Sequence, residues 1–190
     1  MITKKIIQAI DFAIDKHRNQ TRKGKTVPYI VHPLDVMNIL LKEEGLPEEL
    51  IIAGVCHDLV EDTDTSLDEI KELFGEEVAK LVDSDSEPEE LKKNPNEKET
   101  WKERKQDTID RVSKGNEFEK MLACADKLAN LTDIKADLDV GVDIFGMMNA
   151  PKEQQKWYYE SMLESFRTGE SIEENRMYKL LGEKIIEVFE

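Results

Sequence analysis

The stretch Cys56 to Thr63, CHDLVEDT, gathers one imidazole and three carboxylates, those of His57, Asp58, Glu61 and Asp62, beside an apolar run. Carboxylates set against apolar residues are costly unless a counter-charge comes with them. On a helix turning about 100° per residue, with His57 at zero, Asp58 falls near ~100°, Glu61 near ~40° and Asp62 near ~140°. The four therefore share one arc. Gly54 falls on the same arc near ~60°, where a missing side chain leaves room for a metal, a substrate or another helix. Leu50 and Ile51 carry the arc into the apolar interior, and a divalent cation is the simplest remedy for acids in that position.

Two residues elsewhere invite the same treatment. Asp126 interrupts the apolar run MLACADKLANL, with Asn130 and Asp133 further along its face, and His32 precedes Pro33 at a helix start. Taken singly, each reads as a structural group, a hydrogen-bonded histidine or a paired acid. Taken together, His32, His57, Asp58 and Asp126 form a set of two imidazoles and two carboxylates without thiolate. Such a set suits Mn²⁺, Fe²⁺ or Zn²⁺ with positions left open for water. An open site of this kind lowers the pKa of bound water and generates hydroxide near neutrality. Glu61 and Asp62, on the arc beyond the ligands, could orient that water or shuttle protons; the plain alternative is a charged helix end. Cys56 and Cys124 read as small buried core residues, because the paired spacing of thiolate ligands is missing.

The elements that must position these groups are helical. Thr3 caps a first helix whose Ile6, Ile7, Ile10, Ala13 and Ile14 recur at three- and four-residue spacing, ending near Asn19. The stretch HRNQTRKGKTVPYIVHP then clusters Arg18, Arg22, Lys23 and Lys25 around Gly24, the most basic segment of the chain. Pro33 suits the first position of a second helix that stops near Gly45. Pro47 opens a third, PEELIIAGVCHDLVED; Ser66 caps a fourth that ends at Gly75, and EEVAKLVD continues as a fifth. Residues 84–98 are polar and hold two prolines, which predicts an exposed loop or lid. Asn96 is the expected cap of a helix in which Trp101, Lys105, Ile109 and Val112 share a face. A helix from Phe118 to about Asp137 carries Asp126, and two amphipathic helices close the chain. Their aromatic and Met residues suit either a core or a dimer face. No stretch alternates like a strand, so an all-α, single-domain helical bundle over residues 1–190 is expected.

Bulk properties narrow the function. The chain has 190 residues, 39% hydrophobic and 36% charged, with a net charge of −15. That charge repels nucleic-acid polymers and anionic membranes, so a small anionic ligand needs the local basic patch. The start of the chain has no signal-peptide pattern and the longest apolar run, Leu50 to Cys56, is too short to span a bilayer, which predicts a cytoplasmic location.

The runs KHRNQTRKGKTVPYIVHP, CHDLVEDTDTSLDEIKELFGEEVAKLV and ADKLANL, in that order, resemble the HD-domain metal-dependent phosphohydrolases, and within them the hydrolase domain of RelA/SpoT homologues and the small alarmone hydrolases. The resemblance covers roughly residues 1 to 135, and three separated motifs are more specific than one. It implies an HD-type helical fold, a Mn²⁺ ion, and hydrolysis of (p)ppGpp at the ribose 3′ position to GDP or GTP and pyrophosphate. Carried over by position, His32, His57, Asp58 and Asp126 are metal ligands, and Glu61 and Asp62 the catalytic acidic pair. Arg22 and Lys23 meet the nucleotide and Asn130 lines its pocket. Arg104, after Trp101, is a further candidate for substrate contact. Only two helices follow the last motif helix, so hydrolysis without synthesis is expected. Alternatives are an HD phosphohydrolase for another nucleotide, or a non-catalytic nucleotide-binding module; a homo-oligomer is compatible with each.

Overall fold

A computed structural model describes residues 2–86 and 97–190. Among them there is no strand, and all the regular structure is helical apart from one isolated antiparallel bridge, Thr21 to Pro28. The chain divides into two compact units, Met1–Ser86 and Glu87–Glu190.

In the first unit, α1 (Lys4–His17) starts where the Thr3 side chain accepts from the Ile6 N–H, satisfying one of the donors a helix start leaves unpaired. Ile6, Ala9, Ala13 and His17 form its buried stripe. A basic loop leads to α2 (Val31–Leu40). Pro33 thus sits at the third helical position rather than the expected first, still within the turn whose N–H groups lack partners. The central element is α3 (Glu48–Cys56), in which every residue from Leu50 to Cys56 is buried. It packs against α1, α2 and α6 (Glu76–Asp85). Gly54 permits the approach of α2, since a methyl group there would stand 2.7 Å from Leu40 Cδ1 and 3.6 Å from Met37 Cα. Among the openings left at that position, another helix is the occupant.

The expected single helix through CHDLVED is interrupted. The α3 helix stops at Cys56 and a separate turn of helix, α4 (Leu59–Asp62), follows. His57 Nδ1 lies 3.0 Å from the Gly54 carbonyl, the acceptor that an uninterrupted helix would assign to the Asp58 N–H. A side chain has taken a backbone acceptor, and the helix is broken at the two residues of chemical interest. Ser66 caps α5 (Leu67–Phe74) by accepting from the Glu69 N–H, and Gly75, at φ 97°, turns the chain into α6.

The α6 helix runs two residues into the expected loop. Ser84 Oγ and Ser86 Oγ donate to the Leu81 and Val82 carbonyls, prolonging the helix with side-chain bonds. Residues 87–96 of the expected loop, and the Asn96 cap, lie outside the described residues.

The second unit contains α7 (Glu97–Lys114), α8 (Glu117–Asp139), α9 (Lys152–Ser165) and α10 (Arg176–Phe189). Asn116 and Glu119 close a capping box at the start of α8. Trp101, Ile109 and Val112 are buried on α7, with the Trp101 ring edge-on to Trp157 and Tyr158. Tyr158, Met162, Phe166, Met177 and Leu181 are buried as well, so the aromatic and Met residues of the last two helices build a core. No described helix is long and apolar enough to cross a membrane.

Candidate metal centre and its surroundings

The broken segment between α3 and α4 directs two donors toward a third from α2. His57 Nε2 lies 3.3 Å from His32 Nε2 and 3.0 Å from Asp58 Oδ2, and His32 Nε2 lies 3.5 Å from the same oxygen. Both imidazoles are buried, and Asp58 is nearly so. A carbonyl can only accept, so the short His57 Nδ1 contact with Gly54 puts the proton on Nδ1 and leaves the Nε2 lone pair facing His32 and Asp58. That is the tautomer a metal ligand needs, with its outer nitrogen oriented by a backbone acceptor. Two imidazole nitrogens and a carboxylate oxygen, all within 4.8 Å of one another, could hold a divalent cation. These residues fit such an ion by donor type, and His57 by tautomer as well.

Tyr29, from the basic loop, donates its hydroxyl to Asp58 Oδ2 at 2.7 Å. Burial, then the charges of Asp58 and Asp62, push the Tyr29 pKa far upward, so the hydroxyl remains a donor. Asp62 is exposed along one side, yet crowding around its carboxylate raises its pKa, with the Asp58 charge adding to the effect. Glu61, half-buried, precedes it on α4. Burial pushes the Cys56 thiol up to about 12, in keeping with a core residue, and Cys124 is likewise buried and in no disulfide.

The basic loop is folded on itself. Arg22 N–H donates to Val27 and Tyr29 N–H to Gln20, flanking the Thr21 to Pro28 bridge, and Gly24 adopts φ 72° at the tip. The Arg22 guanidinium lies over the Tyr29 ring, 5.7 Å from its centroid, while Lys23 is exposed.

Asp126, Asn130 and Arg104 belong to the second unit. Asp126 is buried on α8; Asn130 Nδ2 donates to its Oδ1 at 2.6 Å, and the Lys127 ammonium pairs with Oδ2. Arg104 is half-buried on α7, and its carbonyl accepts from Thr108 Oγ1.

His17, Gln20 and Tyr29 did not stand out by residue type. His17 carried a signal nonetheless, its place on the buried stripe of α1 four residues after Ala13.

A family model of the HD domain matches residues 9–139. The chain belongs to the HD domain family. Guanosine-3′,5′-bis(diphosphate) 3′-pyrophosphohydrolase MESH1 of Mus musculus is 38% identical over 131 residues, 68% of this chain and 69% of its own. The Homo sapiens MESH1 matches to the same extent. The Aquifex aeolicus guanosine-3′,5′-bis(diphosphate) 3′-pyrophosphohydrolase is 52% identical over 80 residues, 42% of this chain but 11% of its own length. Among solved structures, a metazoan SpoT orthologue described as hydrolysing ppGpp has a TM-score of 0.80 at 28% identity, covering 98% of this chain and 96% of its own. A Listeria monocytogenes EGD-e structure has a TM-score of 0.73 at 35% identity, covering 89% and 99%. The HD domain family and the His32, His57, Asp58 cluster together imply a divalent metal ion.

Proposed function

We propose that this HD domain protein is a Mn²⁺-dependent hydrolase of guanosine 3′-diphosphate 5′-di- or triphosphate. Water adds across the bond between the ribose 3′ oxygen and its phosphorus. The hydroxyl goes to phosphorus, releasing pyrophosphate, and a proton goes to the ribose oxygen, leaving GDP or GTP. The observation that carries the proposal is the convergence of His32 Nε2, His57 Nε2 and Asp58 Oδ2 in a chain whose relatives are named for this reaction.

His32, His57 and Asp58 would hold the ion, and the sequence motif adds Asp126 as the fourth ligand. A bound divalent cation acts as a Lewis acid on phosphoryl oxygen and lowers the pKa of water that reaches it. Glu61 and Asp62 take the proton from water and return it toward the leaving oxygen. Arg22 and Lys23 neutralise phosphate charge, with Arg104 and Asn130 as further substrate contacts, in a protein whose net charge of −15 would otherwise oppose a polyphosphorylated ligand. The family match over residues 9–139 draws on both compact units, which supports treating the whole chain as one hydrolase domain. A cytoplasmic location accompanies the proposal and suits two buried cysteines that form no disulfide.

The test is product analysis. Chelator-stripped protein supplied with Mn²⁺ and ppGpp is expected to release GDP and pyrophosphate, and to release neither after chelation or with Asp58→Ala. Guanosine nucleotides lacking the 3′-diphosphate are expected to survive. Intact ppGpp after incubation with the Mn²⁺-loaded protein would overturn the proposal, and turnover of a nucleotide without a 3′-diphosphate would redirect it to another substrate.

A further inference from the structure

His17 is an unusual occupant of the α1 stripe it shares with Ile6, Ala9 and Ala13. It is 1% exposed, and its Nε2 has no hydrogen-bond partner among the described residues. A buried ring nitrogen without a partner carries a desolvation penalty that a phenylalanine would not. Packing alone therefore does not account for a histidine. Its other nitrogen does.

Gln20 donates from Nε2 to the backbone carbonyl of Asp62, and since that carbonyl can only accept, the orientation of the amide is settled. Oε1 must then face His17 Nδ1, 2.6 Å away, and Nδ1 must carry the proton. One directional chain thus runs from His17 through Gln20 to the backbone of α4, the turn that holds Glu61 and Asp62. The His17 ring also lies against Tyr29, with centroids 4.8 Å apart and planes at 32°. Tyr29 in turn donates to Asp58 Oδ2, the carboxylate oxygen nearest both His57 and His32. The loop backbone brings both arms to one residue, since Tyr29 N–H donates to the Gln20 carbonyl and Gln20 N–H to that of His17.

We propose that His17 is a positioning residue for both acidic arms of the centre, aiming Asp58 through Tyr29 and fixing the backbone of Asp62 through Gln20. It touches neither the ion nor the substrate. The inference rests on the assignment of His32, His57 and Asp58 as metal ligands. The two arms differ in what they chiefly hold, although the Tyr29 hydroxyl also hydrogen-bonds the Asp62 carboxylate. The Tyr29 hydroxyl occupies one lone pair of Asp58 Oδ2 and would leave another for the ion, so its loss acts on metal affinity. The Gln20 arm holds the acids that move protons, so its loss acts on turnover.

Mn²⁺ alone is titrated into chelator-stripped wild type, Asp58→Ala, Tyr29→Phe, His17→Phe and Gln20→Met by calorimetry, with thermal unfolding of each apo protein and steady-state kinetics on ppGpp. Tyr29→Phe is expected to bind Mn²⁺ about 10- to 100-fold more weakly. His17→Phe keeps a ring against Tyr29 and is expected to bind Mn²⁺ as wild type does, with an unfolding midpoint close to wild type. Its kcat is expected to fall on the order of 10- to 100-fold with KM little changed. Gln20→Met breaks the same arm without touching the α1 core and is expected to match that kcat loss. Wild-type Mn²⁺ affinity in Asp58→Ala would overturn the metal assignment itself. Loss of affinity in Asp58→Ala but not in Tyr29→Phe would overturn the Tyr29 arm, and an unchanged kcat in His17→Phe or in Gln20→Met would overturn the role given to His17.

Discussion

His57 Nε2 stands 3.3 Å from His32 Nε2, while His57 Nδ1 is committed to the Gly54 carbonyl. Two facing imidazole nitrogens beside a carboxylate are satisfied together by a cation that accepts from all three. Metal binding should therefore stabilise the fold. At free Mn²⁺ one hundred times its dissociation constant, the expected gain is about 2.7 kcal/mol. Thermal unfolding with Mn²⁺ and with a chelator checks this, and His57→Ala should abolish the difference.

The same pair depends on how closely α2 approaches α3. In Gly54→Ala the new methyl group meets Leu40 Cδ1 at 2.7 Å, and Leu40 is fully buried. Overpacking of this kind costs about 1–3 kcal/mol, set against roughly 1 kcal/mol gained in helix propensity. A net loss of stability and weaker Mn²⁺ binding are expected, because the helices carrying His32 and His57 are pushed apart. Gly182→Ala is the control. On α10 its methyl would meet only Leu163 Cδ2 at 3.7 Å, so a gain of up to about 1 kcal/mol is expected. Chemical denaturation measures both.

Residue type and spacing made His32, His57 and Asp58 legible in the sequence, because a histidine and an acid beside an apolar run have few inexpensive explanations. The Thr3 and Ser66 caps were legible for the same reason, a side-chain acceptor just before an apolar period. The break after Cys56 was not. Periodicity records which face a residue occupies, whereas the break arises because the His57 ring takes a carbonyl from the helix ladder. Tyr29 and Gln20 were hidden by a related limit: a loop pattern predicts a turn, but not the bridge that sets these two side by side. The Asn116 capping box went unread, although Asn116 with Glu119 three residues on carries its pattern.

In the second unit, Lys120 is fully buried and donates to the carbonyls of Thr168 and Glu170, tying the loop before α10 to the first turn of α8. Lys120→Met keeps the stem but leaves both carbonyls without that donor. Thr168 and Glu170 are exposed residues whose carbonyls can turn to water, so the loss is that of hydrogen bonds to a charged donor, about 1.5–3 kcal/mol, and a fall in the urea midpoint is expected. Mn²⁺ affinity should be little changed, since the substitution alters none of His32, His57, Asp58 and Asp126.

Glu61 and Asp62 lie outside the donor cluster, which separates their effect from that of the proposed ligands. Glu61→Gln and Asp62→Asn should bind Mn²⁺ normally, yet lose kcat by about 10²- to 10⁴-fold if these acids handle the proton. Asp62→Asn keeps the Gln20 bond, which ends on the backbone carbonyl, so any loss belongs to the carboxylate. The pH profile adds a sign. Desolvation, then the Asp58 charge, raise the Asp62 pKa above its ordinary 3.8. A general base works only when deprotonated, so kcat should fall as pH drops through that raised value, at a higher pH than an ordinary aspartate would give. Asp62→Asn should flatten this acidic limb. A profile with the limb intact in Asp62→Asn and missing in Glu61→Gln would assign the base to Glu61, and an intact limb in both would remove the pair from the proton path.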